Sequence, residues 1–248
     1  MLGTDWEGST STVHLLGRRE VAERTLAFEF EKPRGYQFRA GQSMDVTLPA
    51  LKDVGSQEAT HTFSIASAPH EGTLMVATRM RDSSYKRALG SLPVGGEVLI
   101  GPPQGQLVLP EGPERPVAIL AGGIGITPFR SMLLDAAHRG LPHRIVLFYS
   151  NRRPEDAAFL DELPQLESRN PHFTLVATMT QTERSLHPWK GERGPIDLAM
   201  VLRHRDPGMA PVYYLAGPPA MVYALRTLLT GNDVKDADIR TEEFYGYG

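Results

Sequence analysis

The chain of 248 residues contains no cysteine. That excludes disulfides, thiol nucleophiles, CxxC redox chemistry and cysteine-ligated iron–sulfur clusters within it. Its eight histidines are scattered, with no HExxH pattern and no compact His/Asp/Glu cluster, so no protein metal site is expected. An excess of one charge is lacking too. The 26 Lys and Arg stand against 29 Asp and Glu, a net −3, and no basic stripe marks a nucleic-acid binder. No apolar run approaches the roughly 18 residues of a spanning helix. The start "MLGTDWEGST" has neither the basic nor the apolar region of a secretory signal. The expectation is a cytoplasmic monomer without a membrane span.

What is present falls into two rhythms. Up to about residue 110 the chain reads as short alternating or β-branched strands at 12–20, 25–31, 42–48, 61–67, 73–80 and 97–101, with a single helix at 84–91 capped by Ser83 or Ser84. Evenly spaced strands with little helix between them suggest a small antiparallel barrel. From about 115 strands alternate with helices: strand 116–123, helix 128–140, strand 143–150, helix 154–168, strand 173–179, helix near 197–204, strand 211–216 and helix 218–230. Near-continuous apolar strands separated by amphipathic helices mean a parallel sheet covered on both faces. The Pro- and Gly-rich stretch 101–116 separates the two.

The stretch "ILAGGIGITPFRSML" (119–133) carries the chemistry-bearing turn. Gly122, Gly123 and Gly125 fall where the first parallel strand hands over to a helix, and Pro128 stands where a dinucleotide-binding fingerprint has its third glycine. Glycines there admit close backbone approach, and a helix N-terminus suits a pyrophosphate. Pro128 costs no hydrogen bond at a first helical turn, so the anion site is expected to survive. A second turn, "YLAGPPAMV" (214–222), ends a later parallel strand. Two such turns at one sheet edge could hold the two ends of an extended dinucleotide. Met221 is either core filler on the next helix or a wall of the nicotinamide pocket. Between the turns, "FYSNRRPED" offers Ser150, Asn151, Arg152 and Arg153 where an acidic residue would repel a 2′-phosphate. Two guanidiniums and two neutral donors favour NADPH over NADH.

"HTFSIASAP" (61–69), "GGIGITP", "AGPPAMV" and the terminal "EEF" occur in the order found in the ferredoxin–NADP reductase superfamily, which the chain resembles over nearly its whole length. The resemblance implies a β + α/β fold: an antiparallel six-stranded FAD-binding barrel over residues 1–112, then a Rossmann-like parallel-sheet NAD(P)-binding domain over 113–248. Phe63 would lie against the isoalloxazine ring, Ser64 near its N5 and His61, with Thr62 beside it, near the pyrophosphate. Relatives commonly carry arginine where this chain has His61. Flavin retention is therefore expected to be weaker than in arginine-bearing members and to fall as pH rises through the histidine's pKa of about 6.5. The backbone of "ATRM" (77–80), with Thr78, Arg79 and Met80, would run past the ribityl and phosphates. Ser84, Tyr85 and Lys86 fall in the second phosphate motif, where Lys86 replaces the usual serine hydroxyl.

On the nucleotide side the resemblance implies Gly122, Gly123, Gly125, Thr127, Pro128, Ser150, Asn151, Arg152, Ala216, Gly217, Pro218 and Met221. Ala216 stands where relatives often have cysteine. Phe244 would cover the flavin on its nicotinamide side and Glu243 would act in proton or hydrogen-bond chemistry near N5, with Tyr245 and Tyr247 following in the last residues. The implied activity is an FAD-dependent NAD(P)H oxidoreductase passing electrons to a separate acceptor: a ferredoxin-like or haem protein, or a small oxidant. A free-flavin or ferric-chelate reductase and a non-catalytic redox sensor are the alternatives.

Overall fold

The computed structural model describes residues 8–54, 59–205 and 208–244. Trp6, Tyr245 and Tyr247 lie outside them. The first half builds six antiparallel strands: β1 (Ser11–Ala22), β2 (Thr25–Glu31), β3 (Ser43–Thr47), β4 (Thr60–Ser64), β5 (Thr73–Arg79) and β6 (Glu97–Ile100), in the order β4-β3-β6-β1-β2-β5. The sheet curls until its edges meet, where Ala66 N donates to Met75 O at 2.7 Å. Alternation along the strands sends Leu15, Phe28, Phe30, Met44 and Val76 inward. Helix α1 (Ser84–Ser91) closes one end. Ser83 caps it by accepting from Lys86 N, and Tyr85 and Leu89, one turn apart, point into the barrel.

The second half is a six-stranded parallel sheet: β7 (Val117–Gly122), β8 (Ile145–Asn151), β9 (Phe173–Met179), β10 (Glu192–Arg193), β11 (Val212–Gly217) and β12 (Ile239–Glu243), in the order β10-β9-β8-β7-β11-β12. Helices α2 (Thr127–Arg139), α3 (Leu163–Arg169), α4 (Leu198–Arg203) and α5 (Pro219–Thr230) cover its faces. All six residues of β7 are buried: Ile119 and Ala121 face the α2 side with Phe129 and Tyr149, whereas Leu120 faces Leu215 and Leu225 on the other. The strand order turns back at β7, which has β8 on one flank and β11 on the other. Such a reversal opens a crevice at the carboxyl ends of the strands. Among the described residues no helix is long and apolar enough to cross a membrane.

Three local features depart from the expectations. A 3-10 turn, Gly123–Ile126, is interposed between β7 and α2, so the first free N–H groups after the strand belong to that turn. The expected helix 154–168 forms only from Leu163. Before it, Phe159 takes φ 60° and its N–H reaches Val21 O, which drops its ring onto the guanidiniums of Arg19 and Arg130. Helical dihedrals there would forfeit that contact. The terminal stretch adds a strand, β12, in register with β11 (Ala216 opposite Glu242).

Gly125 shows why the turn needs glycine. A Cβ there would lie 2.4 Å from Ala216 O and 2.7 Å from Gly217 N, so the two glycine turns pack backbone to backbone. Gly125→Ala is therefore expected to cost about 1–3 kcal/mol, read as a lower urea midpoint with unchanged slope.

Candidate functional site

Two cavities flank the junction of the halves. The barrel-side cavity, of about 580 Å³, is lined by His61, Thr62, Phe63 and Ser64 of β4, by Ala77, by Arg81, Asp82, Ser83 and Lys86 around the start of α1, and by Glu242, Glu243 and Phe244 at the end of β12. The sheet-side cavity, of about 150 Å³, is lined by Gly122, Gly123 and Ile124, by Ser150, Asn151 and Arg152, by Pro218 and Met221, and by Thr25 and Arg79 from the barrel. Phe244 lines both. Its N–H donates to Gly217 O at 3.0 Å, which extends the β11–β12 pairing by one residue and fixes it at the shared wall.

The barrel-side wall is aromatic at one end and cationic at the other. Phe63 lies 5.9 Å from Tyr85, whose own ring is 4.0 Å from His61. Tyr85 is buried beneath the wall rather than on it, with its hydroxyl donating to Val46 O at 2.9 Å. Lys86 Nζ donates to Arg79 O at 2.8 Å and is almost wholly buried. Desolvation, followed by the nearby Lys86 charge, pushes the His61 pKa below its ordinary value. His61 is thus a neutral ring at neutral pH, and the fixed positive charge of this wall comes from Lys86 and Arg81.

At the junction Ser64 Oγ donates to Glu242 Oε1 at 2.9 Å. Burial raises the Glu242 pKa, an effect partly offset by the Ser64 hydrogen bond. Glu242, not singled out from sequence, is the carboxyl brought to Ser64, while Glu243 lines the same cavity from an exposed position. The β12 register could have indicated this only if the strand itself had been read.

The sheet-side cavity sorts the remaining candidates. Gly122, Gly123, Ser150, Asn151, Arg152, Pro218 and Met221 line it together. Met221 packs on the α5-side core while lining this cavity, and it leaves no room for a Cβ on Gly122 (2.4 Å from its Sδ). Asn151 is buried beside the Tyr149 hydroxyl, and its amide makes no well-formed hydrogen bond within the protein, so it retains capacity for a polar ligand group. Arg79, whose backbone was expected to pass the flavin, sends its guanidinium to this side, where Nη2 reaches Asp156 Oδ1 at 3.3 Å. Thr127, Pro128 and Ala216 are buried under the turn, with Thr127 Oγ1 donating to Ile124 O. Thr78 is fully buried, and Met80 packs on the barrel core.

Arg153 does not present a free guanidinium. Its Nε and Nη2 donate to Asp156 at 2.9 and 3.1 Å, and Nη2 also reaches Glu23 Oε2 at 2.6 Å. Asp156 and Glu23 raise its pKa accordingly. Arg152 stays exposed on the cavity rim.

Residues 119–227 match the oxidoreductase NAD-binding domain family. The chain is 29% identical over 220 residues to the propane 2-monooxygenase reductase component of Rhodococcus jostii RHA1, covering 86% of this chain and 57% of that protein. It is 28% identical to ferredoxin–NADP reductase B of Sorangium cellulosum over 84% of this chain and 85% of that one. A ferredoxin–NADP+ reductase from Neisseria gonorrhoeae, solved with bound FAD and NADP, superposes with a TM-score of 0.77 at 21% identity, over 96% of this chain and 99% of that one. The chain spans 57–65% of the length of several oxygenase reductase components it matches. The match to the oxidoreductase NAD-binding domain thus covers residues 119–227, and the whole chain shares the two-domain fold of that solved reductase.

The two arginines of the "NRRP" stretch should separate in a stability measurement. Arg153→Ala, which strips Asp156 of two charged hydrogen bonds, is expected to lower the unfolding free energy by about 2 kcal/mol. Arg152→Ala should stay within about 0.5 kcal/mol of the parent. Paired urea titrations check this, and equal losses would contradict it.

Proposed function

We propose that the chain is an FAD-dependent NAD(P)H reductase that passes electrons to a separate acceptor. The observation that carries this reading is the shared wall: Phe244 lines a cavity of flavin-like chemistry on one side and the glycine-turn cavity on the other. The residues fit both groups. About 580 Å³ bounded by Phe63, Ser64, Lys86 and Arg81 suits a tricyclic ring with its phosphate tail, and the buried Asn151 amide suits a nucleotide. A flavin bound there accepts hydride from the nicotinamide at N5 and can release the electrons singly.

The chain's own groups supply position and charge. Phe63 offers a flat apolar face. Ser64 presents its hydroxyl with the orientation fixed by Glu242, whose raised pKa lets that carboxyl hold a proton more readily than an exposed one. Lys86, Arg81 and Ser83 would hold flavin phosphates, with His61 contributing a neutral ring. Gly123 and Ile124 N–H groups and Arg79 would hold the dinucleotide phosphates. Ser150, Asn151 and Arg152 face its adenosine end, and Arg152 is the group we assign to a 2′-phosphate. Phe244 would yield to the nicotinamide, with Glu243 at the mouth beside it.

With no cysteine in these 248 residues, no cysteine-ligated cluster within them can take the electrons onward. The acceptor lies outside these residues, and we assign that role to a ferredoxin-like or haem protein. Relatives named as reductase components of monooxygenase systems support that choice. A free-flavin or ferric-chelate reductase is favoured by one observation, the neutral His61 where relatives commonly carry a fixed charge.

Anaerobic titration of the flavin-loaded chain tests the reading. NADPH is expected to bleach the flavin at about one equivalent, with Arg152→Ala weakening NADPH roughly tenfold and NADH little. A folded protein that stays colourless in excess FAD, or is bleached by neither nucleotide, overturns it. Flavin retained through gel filtration favours a separate protein acceptor over the free-flavin reading. Because desolvation and the Lys86 charge lower the His61 pKa, contrary to the expectation of a charged ligand, its neutral form dominates from about pH 7.5 upward. Flavin affinity should then be flat between about pH 7.5 and 8.5. A steady fall across that window would make His61 a charged ligand after all.

A further inference from the structure

One buried cation takes no part in either cavity. Arg130, in the first turn of α2, has a side chain only 6% exposed. Its Nη1 donates to Ala66 O at 2.8 Å, its Nε donates to Glu162 Oε2 at 2.7 Å, and its guanidinium lies 4.8 Å from the centre of the Phe159 ring. Glu71 Oε2 lies 3.7 Å from Nη1. The next residue repeats the link, with Ser131 Oγ donating to Ser67 O at 2.6 Å. A buried ion pair adds little stability over an apolar contact of the same size, so burying this one needs another explanation. What it adds is direction.

Ala66 lies two residues beyond Ser64, and its peptide is already pinned by the bond from its own N–H to Met75 O. At the other end, Arg130 lies three residues beyond Thr127, which fastens the glycine turn through Ile124 O. The path from the Ser64 hydroxyl to the glycine turn therefore runs through one short stretch of strand, one guanidinium and one helical turn. We propose that Arg130, seconded by Ser131, is a positioning residue. It locks the strand bearing Phe63 and Ser64 to the first turn of α2 and so sets the separation between the two ring sites. This rests on the reading under Proposed function. A misplacement of about 1 Å between reacting groups costs on the order of a hundredfold in rate, and neither ring site would lose a contact of its own.

The test compares the flavin-loaded parent with Arg130→Lys, Arg130→Met and Ser131→Ala. Each is mixed with NADPH without oxygen to measure the single-turnover rate of flavin bleaching. Flavin and NADP+ dissociation constants are measured alongside. Lysine keeps the charge but cannot serve Glu162 and Ala66 together. The expected result is a 10- to 100-fold slower bleaching in both Arg130 variants and at least a threefold slowing in Ser131→Ala, with both dissociation constants within threefold of the parent. A merely structural role would lower the melting temperature and leave the rate per folded molecule unchanged. Should an Arg130 variant fail to fold, Ser131→Ala decides by the same rate criterion. Parent-like rates in the folded variants overturn this inference and leave the reductase reading standing. A parent that NADPH does not bleach overturns both.

Discussion

Ser64 and Glu242 are 178 residues apart in sequence and 2.9 Å apart in space. The bond between them exists only if β4 ends its barrel sheet at the junction and β12 lies in register on β11. It therefore depends on both sheets at once. The strand that delivers Glu242 also delivers Phe244 to the wall common to the two cavities. A terminal segment that stood apart from the sheet would leave Ser64 without its carboxyl partner and the two cavities without a partition.

Charge is distributed to match that geometry. The cationic end of the barrel-side cavity is built from Lys86 and Arg81 beside a neutral His61, while Arg79 on the adjoining strand turns to the other cavity. Carboxylates neutralise the cations that hold structure, as Asp156 and Glu23 do for Arg153. Arg152 remains at the rim. Each positive group is thus committed to structure or disposed toward a cavity by which neighbour reaches it first. Sequence adjacency alone does not reveal that division.

Much of the fold could be read from the chain because its signals are local. Alternation marked the barrel strands, apolar runs marked β7, β8 and β11, and Ser83 marked a helix start. The aromatic and hydroxyl of "TFS" and the glycines after β7 fell on cavity walls for the same reason: residues at a strand end or turn are placed by their immediate neighbours. Long-range pairing hid the rest. Glu242 acquires its role from the β11 register, and Phe159 leaves the helical region to meet two arginines contributed from elsewhere in the fold. Tyr85 could have been placed correctly from helical spacing, since it shares an inward face with Leu89. Arg153 could have been half understood from Asp156 three residues on, though not from Glu23.

In the proposed reductase the flavin ring and the nicotinamide ring meet across the position of Phe244. The most direct measurement is the long-wavelength charge-transfer absorbance that stacked flavin and nicotinamide give, recorded on anaerobic mixing of NADPH with the flavin-loaded chain and with Phe244→Ser. A band in the parent that grows stronger in Phe244→Ser, where the partition is removed, is the predicted result. No band in either protein, despite saturating nucleotide, would mean that the two cavities hold their ligands apart.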